Sequence, residues 1–439
     1  MQHKRNSKTI YMKTTGFWNR TLEGLYDACH VWAQEMKGVV RDEGVLIFFI
    51  LVPLAYPLLY SWIYNNEVVR EVPVVVVDDS RSSMSREFAR RCDASPDVMV
   101  KHYAADMEEA RALVGHQDAK GIYYIPADFS TRLARMEQTA VSVYCDMSLM
   151  LTYKAVFQTA TAVSQEMNRD IQIKLSGNHT DREDDITTMP LKSEDVPMFN
   201  PTGGYGNFIL PGVLMLIIQQ TLVLGIGLAA GTAREKNRFR ELIPISRHYR
   251  GVLRIVTGKT MCYLMIYAVV SAYVTLVIPR LFRFVDMVQA GTLTAILLPY
   301  LLACIFFGMT VSCLIRYREN VMLIVIFCSV PLLFMSGVSW PQSNIPGVWQ
   351  GVSWLFPSTF GVRAFVRASM MGATPSDIAT ECRLMWIQAA AYFITACAVY
   401  RYQINLSRRK VLDQLNHIRH KREVRQRLKA VRQVSSGSR

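Results

Sequence analysis

Six long apolar runs constrain this chain more than any other feature. They cover residues 45–63, 208–231, 260–279, 292–315, 321–338 and about 384–400. Each is about 17–25 residues long, enough to cross a hydrocarbon layer of about 30 Å as a helix. None holds Asp, Glu, Lys or Arg in its central turns, although Arg383 and Gln388 dilute the start of the last. One such run fits a buried helix of a soluble protein. Six in one chain predict an α-helical polytopic membrane protein with six transmembrane helices. The first run starts behind a segment that contains Asp and Glu, so it reads as a retained signal-anchor helix and not a cleaved leader. Pro53 and Pro57 are expected to kink it.

An even number of spans puts both termini on one side, and charge says which. The 439 residues carry 49 Lys and Arg against 35 Asp and Glu, a net +14. Residues 1–44 hold 7 basic and 5 acidic residues, 232–259 hold 8 and 2, 316–319 hold 2 and 1, and 401–439 hold 12 and 2. Together these are net +19, whereas 65–205, with 15 basic and 22 acidic residues, and two short segments are net −5. Basic loops stay on the cytoplasmic side. Both ends are therefore expected in the cytosol, with 65–205 outside. The excess that would otherwise suggest nucleic acid becomes a record of topology. The tail, 403–439, reads as a basic helix on anionic lipid.

Residues 17–42 place Phe17, Leu22, Leu25, Cys29, Trp32, Met36 and Val39/Val40 near helical spacing between basic residues. That pattern suits an amphipathic helix in the cytoplasmic interface; the lesser alternative is a small soluble helix packed on the cytosolic face. Residues 65–205 alternate short β-rich runs (72–77, 97–103, 119–126, 140–146) with helical stretches (83–92, 106–115, 127–135, about 150–174). This predicts an inserted α/β domain. The polar stretch 176–195 reads as an exposed loop.

Candidates for chemistry are few. Asp78-Asp79 follows a strand and suits a helix-capping turn better than a metal site. His102, His116 and His179 lack metal-ligand spacing. Asn178-His179-Thr180 matches a glycosylation sequon, a three-residue pattern that arises often by chance. Gly258-Lys259-Thr260 ends like a phosphate-binding loop, but Leu253 stands where that loop needs glycine. Gly225, Gly227 and Ala230 imitate a dinucleotide fingerprint inside an apolar stretch, where Gly227 and Gly231 instead suit close helix packing. No metal or cofactor is expected on this chain. Only Cys92 and Cys145 lie in the inserted domain, and a disulfide between them stays open.

The arrangement resembles the permeases of ABC-2 type transporters over nearly all of residues 17–402. Three stretches carry the likeness: Glu35 and Arg41-Asp42 before the first span, 73–90 with 121–130 in the inserted domain, and 335–373. The second resembles the external domain of the drug- and lipophile-exporter branch, which lies between spans 1 and 2. The cytoplasmic loop departs from the family pattern. Residues 234–246 read REKNRFRELIPIS, shorter than usual and without Gly-Thr, although Glu235, Glu241, Leu242 and Pro244 keep the family order.

The resemblance implies a permease that moves cargo out across a bacterial inner membrane. A separate cytosolic ABC ATPase subunit, which holds ATP and Mg, would dock on residues 232–254 and the 17–42 helix. Phe239 and Leu242 would then anchor it, while Arg238, Arg240 and Glu241 set polar register. These basic residues also suit a purely topological role. The family likeness further implies a second permease subunit and suits a periplasmic adaptor protein leading to an outer-membrane channel. Residues 339–372, with Trp340, Pro341, Pro346, Trp349, Trp354 and Pro357, are expected to form a re-entrant external hairpin that gates exit. Composition alone fits an interfacial loop nearly as well. The clearest polar groups in the spans are Gln219, Gln220, Thr221 and Ser271, which suggests a path for apolar or amphipathic cargo. An ion-coupled transporter generally needs intramembrane charge, and a sensor needs a cytosolic output module; neither is visible in the sequence.

Overall fold

A computed structural model describes residues 17–65, 68–177, 180–191, 199–200, 204–236, 251–314 and 317–436. The chain divides into two compact units, Met1–Asn65 with Gly206–Arg439, and Asn66–Tyr205.

Helix α1 (Phe17–Arg41) ends where Asp42 turns the backbone to an extended conformation. The Asp42 carboxylate accepts the Val45 amide at 3.2 Å and so starts the first span, Glu43–Ile63. This span comprises α2 (Glu43–Leu46), a π turn (Ile47–Leu51) and α3 (Val52–Ile63). Pro53 has no amide hydrogen to continue the ladder, and the wider π turn before it absorbs the break.

The unit Asn66–Tyr205 runs β1 (Val72–Asp78), α4 (Ser83–Asp93), β2 (Val98–Ala104), α5 (Met107–Gly115), β3 (Gly121–Ile125), α6 (Phe129–Ala134), β4 (Ser142–Cys145), α7 (Met150–Ser176) and α8 (Asp181–Thr188). Its sheet has the order β2-β1-β3-β4. Strand β1 is parallel to β2 and β3, and β4 is antiparallel to β3. The run of valines in β1 is buried on both faces. Val72, Val74 and Val76 pack with Phe88, Tyr123 and Val156, while Val75 and Val77 pack with Ala110 and Ile122. This is why the strand is apolar without alternation. Helix α8 lies inside the stretch read as a loop. Thr180 and Glu183 form a capping box there, and acidic residues fill the first turn, so a polar segment still nucleates a helix.

The membrane unit resumes with α9 (Tyr205–Lys236), α10 (Val252–Ala272), a π turn (Tyr273–Val277) and α11 (Ile278–Phe282). It continues with α12 (Ala290–Leu314), α13 (Arg318–Met335), α14 (Gly347–Ser353), α15 (Pro357–Met371) and α16 (Ala379–Ser436). Among the described residues, six segments are long and apolar enough to cross a membrane: Glu43–Ile63, Tyr205–Glu235, Val252–Phe282, Ala290–Cys313, Arg318–Met335 and Ala379–Leu406. The last is the start of a single 58-residue helix that carries the basic tail without a break.

Helix α9 is central. Leu210, Leu214, Met215, Ile218, Leu222 and Ile226 are all buried. Its glycines let neighbours approach closely. A Cβ at Gly225 would lie 2.6 Å from the Phe49 ring of span 1, and one at Gly227 only 2.4 Å from Val321 of α13. The outward faces of span 1 and α13 expose Leu59, Trp62, Ile326, Phe327 and Val330, a surface suited to hydrocarbon.

Candidate functional site

The side of α1 that packs on α10 is a line of small apolar and acidic residues. Ala28, Val31 and Val39 are buried on it, and Asp27, Glu35 and Asp42 lie on the same side. The predicted apolar stripe is rotated from this line. Trp32 and Met36 touch the core, but Leu25, Cys29 and Val40 are exposed. The side chains of Phe17 and Leu22 lie outside the described residues. Helix α1 therefore has one apolar face outward and an adjacent face toward the protein.

Each carboxylate on the protein side meets a basic residue of the spans. Arg254 Nη1 donates to Asp27 Oδ2 at 2.5 Å, and Lys259 Nζ donates to Glu35 Oε2 at 2.6 Å. The Tyr263 hydroxyl donates to Glu35 Oε1. Arg318 Nη2 donates to Asp42 Oδ1 at 2.9 Å, and the Thr232 hydroxyl to Asp42 Oδ2 at 2.6 Å. Burial alone would push the Asp42 carboxyl up. The Thr232 hydroxyl, the Val45 amide and the Arg318 guanidinium outweigh it and hold the group below the ordinary aspartate range. A Cβ at Gly258 would sit 2.6 Å from the Ala28 carbonyl oxygen. The Gly-Lys pair that resembles a phosphate loop thus lets α1 lie against α10 and lets Lys259 reach Glu35.

Sequence reasoning identified Glu35 and Asp42 but missed their partners. Lys259 stands just before an apolar run, so a window that starts at Thr260 excludes it. Arg41 and Glu235 are exposed. Arg238, Phe239, Arg240, Glu241, Leu242 and Pro244 lie outside the described residues.

A second cluster fixes the segment between α13 and α16. Pro357 opens α15, and the Ser358 amide donates to Gln219 Oε1 at 2.6 Å. Gln219 Nε2 donates to the Ser358 hydroxyl at 3.1 Å, so both ends of this buried amide are used. Gln388 Nε2 donates to the Trp354 carbonyl at 2.6 Å, and the Tyr392 hydroxyl donates to the Leu355 carbonyl. The turn between α14 and α15 is thereby held by α9 from one side and α16 from the other. Trp340, Pro341, Pro346, Trp349 and Trp354 are exposed, and Pro357 is buried.

Thr221 and Ser271 are buried and bond carbonyls of their own helices, Ile217 at 2.7 Å and Ala268 at 3.3 Å. Gln220 is half-buried, and its Nε2 has no hydrogen-bond partner among the described residues. In the inserted unit, Asp78 accepts the Arg81 amide at 2.9 Å and the Ser85 hydroxyl at 2.7 Å, the geometry of a turn that caps α4. Cys92 and Cys145 are both thiols, and burial pushes Cys92 up to about 12.

Comparison with known proteins agrees with this architecture. A family model described as ABC-2 family transporter protein matches residues 44–398. A similar protein is the probable multidrug ABC transporter permease YbhR of Escherichia coli strain K12. It is 21% identical over 334 residues, covering 74% of this chain and 84% of the relative. The protein of the same name from Escherichia coli O157:H7 aligns to the same extent. With six helices able to span a membrane and a family match across most of its length, the chain is a multi-pass membrane protein that belongs to the ABC-2 transporter family.

Proposed function

We propose that this chain is the permease subunit of an exporter for apolar or amphipathic cargo, driven by a separate cytosolic ABC ATPase that holds ATP and Mg. The observation that carries this is the set of ion pairs and hydrogen bonds by which α1 and the Asp42 that follows it meet Thr232 of α9, Arg254 and Lys259 of α10, and Arg318 of α13. The segment 237–250 joins α9 to α10, next to Thr232 and Arg254. An ATPase docked there, with Phe239 and Leu242 as anchors and Glu235, Arg238, Arg240, Glu241 and Pro244 around them, would push on a tied block of helices. Such a block moves as a rigid body. The printed name of the E. coli relative, a multidrug permease, supports amphiphilic cargo.

In this reading both termini are cytosolic and residues 65–205 are periplasmic, in a bacterial inner membrane; the charge partition supports it. A second permease subunit completes the pathway, and the periplasmic unit meets an adaptor protein that leads to an outer-membrane channel. The α14–α15 segment acts as the external gate, with Gln219 as its hinge-side anchor and not a cargo contact. Purification in mild detergent tests the reading. A co-purifying ATPase supports it; repeated preparations without one, together with proton-driven flux in vesicles, overturn it.

The pair Lys259–Glu35 favours a second reading, ion-coupled transport, because an ionisable residue within a spanning helix is a functional candidate. The same flux measurement separates the two.

A further inference from the structure

The first and third spans are broken in the same way. In each, the amide of the residue before a proline reaches five residues back. Val52 donates to the Ile47 carbonyl ahead of Pro53, and Ile278 to the Tyr273 carbonyl ahead of Pro279. Proline offers no amide to the carbonyl four residues earlier, so Phe49 and Thr275 lose that helical donor, and Pro57 does the same to Pro53. The Thr275 hydroxyl donates to the Ser271 carbonyl at 2.7 Å, a back-bond that favours bending. Helices bend at proline and π sites of this kind.

The two breaks are also tied to each other. Tyr273 opens the second π turn, and its hydroxyl donates to the Leu54 carbonyl, just past the first, at 3.2 Å. Apart from the turn that precedes it, α3 packs most on the second π turn and α11. Leu58, Leu59, Trp62 and Ile63 of α3 and Leu281 of α11 are exposed, so their outer sides meet only hydrocarbon. The cytoplasmic halves are held differently. The Phe49 ring stacks on Tyr263 at 5.6 Å and meets Tyr267 edge-on at 5.4 Å, and Arg254 and Lys259 pair with α1. A clamped half and a lightly held half, joined through a turn with missing hydrogen bonds, are the parts of a hinge.

We propose that the two π turns are paired hinges about which the outer ends of spans 1 and 3 bend together, and that Tyr273 is the positioning residue that makes them bend as one. The proposal rests on the exporter reading above. A tilt of the ion-paired block reaches α3, which leads into the inserted unit, through these turns.

Spin-label distances in the full chain, freed of native cysteines, test this. Labels at Met265 and Leu281 straddle the second π turn. Labels at Leu253 and Val269 are the same number of residues apart within α10, and all four sites are exposed. The straddling pair gives the broader distribution in the wild type. Pro279→Ala, which restores the missing amide, narrows it to match the control pair. Labels at Ile63 and Leu281 give a narrow distribution that broadens in Tyr273→Phe. In the complex with its ATPase, Pro279→Ala melts near the wild type and loses cargo-stimulated ATP hydrolysis severalfold, a combination that a merely structural proline does not produce. Three results overturn the proposal: a straddling pair as narrow as the control, an Ile63–Leu281 distribution unchanged in Tyr273→Phe, or wild-type hydrolysis by a Pro279→Ala variant whose distances have narrowed. Should Pro279→Ala fail to fold, Pro53→Ala carries the hydrolysis comparison. Repeated preparations without an ATPase overturn the exporter reading instead, and the two distance measurements then decide the hinge by themselves.

Discussion

Lys259 Nζ lies 2.6 Å from Glu35 Oε2 and ties the third span to the helix that precedes the first. The lysine side chain is 6% exposed and the glutamate 15%. Removing one partner strands the other charge away from water. Lys259→Met should therefore destabilise the protein by about 3–5 kcal/mol, while Lys259→Met with Glu35→Leu should lose much less. Melting of both variants in detergent, read as a double-mutant cycle, checks this.

Glycines in this unit divide by what surrounds them. A Cβ at Gly227 would fall 2.4 Å from Val321 Cγ1, so Gly227→Ala must push α13 from α9 and should cost about 1–3 kcal/mol. Gly38, inside α1, has nothing within 4 Å of its would-be Cβ. Gly38→Ala should stabilise by about 0.5–1 kcal/mol through helix propensity. Opposite signs in one melting experiment are the expected result.

Much of this fold was legible because its elements follow local patterns. The apolar runs marked the spans, and the valine run at 72–77 placed the start of the inserted sheet. Helix α8 was hidden, since a polar helix without an apolar stripe has the composition of a loop. The site was only half legible. Glu35 and Asp42 stood out through family likeness, but Lys259, Arg318 and Thr232 meet them across more than 180 residues of sequence. Nothing local announces such a pairing. Gln219 likewise looked like a polar group on a path, and only packing shows that Ser358 occupies its amide.

Two aspartates should shift stability with pH in opposite directions. The folded Asp42 carboxyl lies below the unfolded value, so its contribution is present above about 3.9 and is lost as pH falls through its folded value. Asp286, in the turn after α11, is pushed up by burial despite the Val288 amide and Arg280. Its contribution is present below the unfolded value and is lost as pH rises through the folded one. Asp42→Asn should flatten the acid limb of a melting profile, and Asp286→Asn should raise the neutral end.

Gln219 supplies both partners of Ser358, and Cys304 Sγ lies 3.6 Å from Gln219 Oε1. Gln219→Ala leaves the Ser358 amide unpaired, which should cost about 1–3 kcal/mol and loosen the start of α15. In a variant that retains Cys304 alone, a membrane-permeant maleimide should label this buried thiol faster once Gln219 is removed. Unchanged labelling and stability would mean that α15 is held by Gly361 against Tyr300 and not by the amide.

The last prediction concerns the proposed drive. Ion pairs from α1 reach Arg254 and Lys259, and the Asp42 carboxylate that follows it bonds Arg318 and Thr232, so the helices on both sides of 237–250 are tied to one short stretch of chain, α1 with Asp42. If an ATPase acts on that segment, weakening the contact there should uncouple it without unfolding the block. Phe239→Ala with Glu241→Ala should leave membrane expression and melting near wild type and abolish cargo-stimulated ATP hydrolysis by the co-purified complex. Lys259→Met should instead lower both melting and transport, because it loosens the block itself. Wild-type transport by the double variant would move the coupling contact away from this segment.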